Sequence, residues 1–166
     1  ISNLSNETSD YQGLFGYADG ATFTNVALEN VSINNGTYAG ALLGYGVNVT
    51  ITDSYSSGGS VNGGTYSGGL VGYLESSSVD TSWSNNTVVG STYAGGIAGY
   101  VTSAELTNNY STGAVSANIN AGGIAGYSNH STFTNNYFTG SVKINSSYNT
   151  SAAYGAIVGG IFMGTY

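Results

Sequence analysis

Apolar residues return along this chain at a fixed interval. The fullest form of the recurring string is Gly-[Leu/Ile]-x-Gly-Tyr, at Gly13–Tyr17, Gly69–Tyr73, Gly96–Tyr100 and Gly123–Tyr127, with variants at Ala41–Tyr45 and Ala156–Gly160. Successive second glycines stand 28, 28, 27, 27 and 33 residues apart. A period of this size belongs to a solenoid, in which one repeat is one coil stacked on the last. Each repeat carries three apolar patches. The motif supplies Leu14, Leu42, Leu70, Ile97, Ile124 and Ile157, constant enough in type to be an inward column. About seven residues later, Phe23, Ile51, Val79, Leu106 and Phe133 sit between polar neighbours, the alternation of a half-buried strand. A column of Asn25, Asp53, Thr81, Asn108 and Asn135 follows at once, residue types that bond neighbouring backbone at a corner. The third patch is looser, with Val31, Ile33, Val61, Val88, Val115 and Val142 among glycines.

Three strands and three corners per repeat predict an all-β fold: a parallel, three-sided β-solenoid of about six coils with 27–28 residues each, forming one domain over residues 1–166. Coils ~4.8 Å apart would make a rod roughly 29 Å long. The 33-residue step predicts an insertion at one corner, near residues 145–151.

Composition narrows the function. Only 5% of residues are charged, the net charge is -7, and Lys143 is the single basic side chain apart from His130. A nucleic-acid partner lacks its basic footprint, and so does an anionic membrane surface. Cysteine is absent, which excludes disulfides and thiolate metal sites. Proline is absent too, as suits uninterrupted strand ladders. No apolar run approaches the ~20 residues of a membrane span, and no signal-peptide pattern opens the chain, as expected of a mature form or a fragment.

The strings Gly-Leu-Phe-Gly, Ala-Leu-Leu-Gly, Gly-Leu-Val-Gly, Gly-Ile-Ala-Gly (twice) and Ala-Ile-Val-Gly resemble the GLUG repeat of bacterial surface adhesins and of the non-catalytic part of some secreted immunoglobulin-A proteases. The resemblance covers residues 11 to 160. It implies a secreted or surface-displayed, non-catalytic segment, and it carries no functional residues to transfer.

Four features are candidates for function. Asn-x-Ser/Thr glycosylation sequons begin at Asn3, Asn6, Asn30, Asn35, Asn48, Asn85, Asn109, Asn129, Asn145 and Asn149, about twice as many as random placement of the same residues gives. Asparagine-rich turns beside Ser/Thr-rich strands also generate sequons without any glycan. Second, Tyr17, Tyr45, Tyr73, Tyr100 and Tyr127 form a column beside Phe15, Leu43, Val71, Ala98 and Ala125. If both columns face outward, they make an apolar stripe able to hold a carbohydrate or protein ligand; an aromatic stack shielded at a corner is the structural alternative. A further aromatic column, Tyr55, Trp83, Tyr110 and Tyr137, reads as packing. Third, the C-terminal stretch with Ile157, Val158, Ile161, Phe162 and Met163 is uncharged and suits a head-to-tail contact with a second copy. Fourth, the Thr-x-Thr strings at 22–24, 50–52 and 132–134 resemble flat ice-binding arrays, interrupted by Asp80 and Glu105.

Catalysis is not expected. His130 is the single histidine, and the carboxylates are scattered over different repeats. No metal or cofactor is expected either. The sequence points to an extracellular or cell-surface structural repeat protein, a glycosylated subunit of a head-to-tail fibre, with an adhesin module as the competing reading.

Overall fold

The computed structural model describes residues 1–6, 9–145 and 152–162. Its strands are two to five residues long and every pairing is parallel. They form five ladders, so the coil turns more often than the three sides expected from the sequence. The first ladder runs through Ser32–Asn34, Ser60–Asn62 and Thr87–Val89; the second through Tyr38–Gly40, Tyr66–Gly68 and Tyr93–Gly95. The third holds the motif, in Leu43–Val47, Val71–Glu75 and Ala98–Thr102. The fourth contains Thr50–Thr52 and Ser78–Asp80, and the fifth Tyr55–Ser57 and Trp83–Ser84. Among the described residues the first three ladders have six strands and the last two have five, about five complete coils with a sixth begun.

Register follows the repeat. Leu43 pairs with Val71, Val71 with Ala98 and Ala98 with Ala125, so like residues stack along the axis. Near the C-terminus Ala117 pairs with Ile144 and Asn120 with Ala153, a separation of three residues against nine. The extra residues therefore enter at the corner between the first and second ladders. The segment 146–151, where the insertion was expected to loop out, lies outside the described residues.

The corners explain how strands so short can end. Asn25, Asp53, Thr81, Asn108 and Asn135 hold φ between +49° and +56°, turning the chain from the fourth ladder into the fifth. Gly20, Asn48, Ser76, Ser103 and His130 do the same between the third and fourth. Gly and Asn enter this left-handed region at least cost; for β-branched Thr81 it is a strained state that the neighbouring coils must enforce.

Immediately after six of these ten corners, a small polar residue (Ser54, Ser77, Ser82, Asn109, Ser131 or Asn136) presents its side chain to the backbone of the preceding coil. Ser77 Oγ accepts from Val49 N–H at 3.0 Å and Ser131 Oγ from Ala104 N–H at 3.1 Å. At the next corner Ser82 Oγ accepts from Ser54 N–H, Asn109 Oδ1 from Ser82 N–H and Asn136 Oδ1 from Asn109 N–H. Asn109 is wholly buried and also donates from Nδ2 to the Val79 carbonyl. These ladders satisfy backbone groups where the sheets break, which an apolar interior could not.

The remaining interior is aliphatic. Leu42, Leu70, Ile97 and Ile124 are fully buried, as are Ile51, Val79 and Leu106; Phe23 and Phe133 are nearly so. Each such side chain contributes about 1.5–3 kcal/mol. A second, smaller cluster of Val88, Val115, Ala94, Ala117 and Ala121 joins the first ladder to the second.

One column decides between the two readings left open for it. Leu43, Val71, Ala98 and Ala125, which would have lined an outward stripe beside the tyrosines, are all fully buried. The Leu70 carbonyl accepts from the N–H groups of both Leu42 and Leu43, and the Ile97 carbonyl accepts from both Leu70 and Val71. Two consecutive donors on one acceptor make a bulge, which breaks the strand alternation and lets consecutive residues point inward.

The motif glycine has a steric reason. A Cβ on Gly99 would lie 2.5 Å from Ser67 N and 2.6 Å from Gly72 O; on Gly72 it would lie 2.6 Å from Ala39 N. The third ladder thus lies directly against the second ladder of the preceding coil. We expect Gly99→Ala to force the two apart and cost about 1–3 kcal/mol or more. Gly20→Asn should be near neutral, because a Cβ added at that corner has no atom within 4 Å and Asn48 is the column's own precedent. Urea denaturation of both variants checks the contrast; equal midpoints would refute it. In the same assay Asn109→Ala, which strips the acceptor from a buried N–H, should cost about 1–3 kcal/mol, whereas Asn62→Ala on the exposed first ladder should stay within about 0.5 kcal/mol.

Candidate functional site

The most elaborate surface of the rod is aromatic. Tyr17, Tyr45, Tyr73, Tyr100 and Tyr127 emerge from the third ladder, register partner upon register partner. A second file, Tyr11, Tyr38, Tyr66 and Tyr93, emerges from the second ladder beside them. The bulge and the bare motif glycine bring the two files together, and their rings interlock. Within a file most rings stack, as in Tyr73–Tyr100 at 4.9 Å and 3° and Tyr38–Tyr66 at 5.0 Å and 16°, while Tyr45 meets Tyr17 and Tyr73 edge to face at 88° and 68°. Across files most meet edge to face, as in Tyr66–Tyr73 at 5.1 Å and 87° and Tyr93–Tyr100 at 5.4 Å and 75°, with Tyr38–Tyr45 stacked at 14°. Both geometries suit the ring quadrupole.

The second file was missed in the sequence. Its signal was present: Tyr38, Tyr66 and Tyr93 each precede a motif tyrosine by seven residues, in the string Tyr-[Ala/Ser]-Gly. The file ends at Asn120, and Gly160 takes the tyrosine's place in the last coil.

This packing changes what the stripe can offer. Ring faces are occupied by other rings, so the interior of the zipper presents edges and hydroxyls rather than the open platforms on which a sugar stacks. Tyr45 donates from its hydroxyl to Glu75 Oε2 at 2.8 Å. Burial, then the hydrogen bond to Glu75 and its charge, raise the Tyr45 phenol well above the ordinary tyrosine range. Burial first, then the neighbours Tyr100 and Glu75, push Tyr73 up to about 12. Tyr66 and Tyr100 shift the same way, again with burial as the leading cause.

The other aromatic column, on the fifth ladder, is a plain stack. Tyr55–Trp83, Trp83–Tyr110 and Tyr110–Tyr137 lie 4.5, 5.5 and 5.0 Å apart and within 7° of parallel. It matches the packing role expected of it.

The threonine rows face outward on the fourth ladder, but their hydroxyls bond one another along the axis: Thr24 and Thr52 at 3.0 Å, Ser78 to Thr50 at 3.5 Å. Asp80 lies in one row, accepting from Asn108, and Glu105 in the other. A shallow polar groove of about 520 Å³ follows the corner between the third and fourth ladders, past Asn48, Ser76, Ser103, Glu105 and His130. His130 bonds its neighbour Asn129, and its ring meets Phe162 edge-on. Among the described residues, no group of three or more His, Asp and Glu side chains converges as a metal ion needs.

The sequons divide by position. Asn3, Asn30, Asn35, Asn48, Asn85 and Asn145 are exposed, and Asn129 is half-buried. Asn109, taken from the sequence as an attachment site, is instead enclosed in the polar ladder with both amide atoms bonded; a folded chain has no room for a sugar there. Asn6 begins its sequon in the first strand of the first ladder, Ser5–Asn6. Asn149 lies outside the described residues.

The terminal apolar stretch is split. Val158 is buried and Ile157 half-buried, while Ile161 and Phe162 are 51% and 55% exposed; Met163 lies outside the described residues. An apolar recess of about 440 Å³ opens there among Phe133, Asn136, Ile157, Val158 and Ile161. At the opposite edge Phe15 is 44% and Tyr17 55% exposed, although inside the rod the partners of Phe15 are buried and those of Tyr17 half-buried. None of the described residues forms a helix long and apolar enough to cross a membrane.

No protein-family model matches the chain, and no curated protein matches it. Among solved structures, a provisionally assigned immunoglobulin A1 protease from Bacteroides ovatus shares the fold, with a TM-score of 0.68 and 20% identity. That similarity covers 100% of this chain and 66% of the other, so this chain spans less than two thirds of its neighbour's length. The class defined here is therefore the all-β parallel solenoid.

The zipper makes a prediction about alkali. An unfolded phenol ionises near pH 10, whereas the packed phenols keep their protons higher. Between pH 10 and about 12 the unfolded chain releases protons that the folded chain retains, so stability is undiminished below this window and falls as pH rises through it. We expect tyrosinate absorbance to show a late-titrating fraction whose ionisation coincides with loss of the sheet signal in circular dichroism. Titration of every tyrosine near pH 10 with the sheet intact would contradict a closed zipper.

Proposed function

We propose that this chain is an extracellular structural repeat module, of the GLUG-like kind its motif resembles, that lengthens by adding coil to coil with a second copy. The observation that carries this reading is the pair of uncovered edge coils. Phe15 at one edge and Ile161 at the other are exposed where the same columns inside the rod are buried, as at Leu43 and Val71 for the first and at Ser128 and Val101 for the second. At each edge, among the described residues, the strands of the first three ladders have a ladder neighbour on one side only, Ser5–Asn6, Tyr11–Gln12 and Phe15–Asp19 at one end and Ser141–Ile144, Ala153–Gly155 and Val158–Phe162 at the other, the kind of template on which another chain pairs. A heterologous contact between unlike edges builds an open filament. The fold shared with a bacterial protein provisionally named an immunoglobulin A1 protease supports a surface or secreted setting. Against a role in binding sugars along the tyrosine stripe stands the ring-on-ring packing of the zipper.

Edge variants test the reading. Phe15→Lys blocks one edge and Ile161→Lys the other. The unmodified chain should form fibres under the electron microscope, and each variant alone should stay monomeric. An equimolar mixture should give dimers in sedimentation, because one intact edge of each kind remains. Monodisperse single rods from the unmodified chain at all concentrations would overturn the proposal. The alternative would then be an adhesin using the polar groove between the third and fourth ladders.

A further inference from the structure

The sequons form a spatial pattern that is invisible along the chain. Asn3, Asn30 and Asn85 stand where the fifth ladder passes into the first, and Asn35 and Asn145 where the first passes into the second. All five are exposed, and they bracket a single ladder. Its outward side chains are mostly short, as at Ser32, Ser60, Ser116 and Ser141, with Lys143 the longest. A bulky, flexible sugar chain can lie along such a surface without displacing packed groups.

The amide chemistry sorts the sites further. At Asn85, Oδ1 accepts from Gly58 N–H at 2.7 Å, which fixes the side chain while leaving Nδ2, the atom that takes the sugar, uncommitted. On the far side of the rod, Asn48 Nδ2 donates to Asp19 at 3.1 Å, and Asn129 is half-buried against His130 and Tyr100. Asn109 is enclosed.

We infer that this chain carries N-linked glycans on one side only, at the two corners flanking the first ladder, and that the tyrosine zipper and the threonine face stay bare. The inference rests on the extracellular part of the proposed function, though not on fibre formation. In the transfer, Asn Nδ2 attacks the anomeric carbon of a lipid-linked oligosaccharide pyrophosphate donor. The new N–C bond replaces one N–H, and the lipid pyrophosphate departs as the proton is taken up by base. The hydroxyl residue of each sequon then remains beside its glycan, as Ser32 does at Asn30 and Thr87 at Asn85.

The chain purified from its own source tests this. Enzymatic glycan release in heavy-oxygen water converts each occupied asparagine to a mass-marked aspartate, read by peptide mass spectrometry. The expected result is marking at Asn30, Asn35, Asn85 and Asn145 several-fold above that at Asn48 and Asn129, with none at Asn109. Marking at Asn109, equal marking on both sides of the rod, or no marking anywhere would each overturn the inference. Microscopy of the same sample separates the two ideas, because fibres from an unmarked chain would sink the glycan pattern while leaving the structural reading in place.

Discussion

The bare glycine of the motif is the constraint on which the cross-section depends. With no Cβ at Gly44, Gly72, Gly99 or Gly126, the third ladder meets the backbone of the second at a distance no side chain would permit. The third ladder is then covered on both faces, by the aliphatic core and by its neighbour. Close approach also places the second-ladder tyrosines within ring contact of the motif tyrosines, so the aromatic zipper is a product of the glycine column as much as of the tyrosines. Its aromatic pairs contribute about 0.5–1.5 kcal/mol each beyond area burial, and less where a ring is open to water. They also shield the seam between two sheets.

Five corners per coil set a second demand, for somewhere to put the backbone groups that each corner strips of a ladder partner. Serine and asparagine meet it from inside. Their short side chains reach the N–H of the neighbouring coil, and the serines also fold back onto a carbonyl two residues earlier, as Ser77 does on Glu75 and Ser82 on Asp80. Much of the polarity in this weakly charged chain is therefore interior structure rather than solvated surface. The cost of leaving such a group unmet, about 1–3 kcal/mol, is large enough to make these positions as selective as the aliphatic ones.

The architecture was legible wherever a column repeated one residue type. Leu14 through Ile157, Phe23 through Phe133 and Asn25 through Asn135 announced the stacked coil, its core and one corner. What stayed hidden has physical causes. Strands of two or three residues are too short to display alternation, so five ladders read as three. The bulge at Leu42–Leu43 turns inward a column that the sequence left free to face either way. In Asn85–Asn86 and Asn108–Asn109, adjacent asparagines have opposite fates, the first exposed and the second buried. At the second pair the left-handed turn falls on Asn108 and swings the next side chain inward. Composition carries no trace of that, and so the sequon at Asn109 looked like the others.

The hydrogen bonds of every ladder run along the rod, and this has a mechanical outcome. A pull applied to the chain ends would peel the outermost coil one short strand at a time, each step opposed by only a few bonds. The same pull, spread across a whole end surface, would have to part five strands together. A rod of this construction resists a load shared over its cross-section far better than one carried by its own backbone, so the way it is gripped would govern the force it survives.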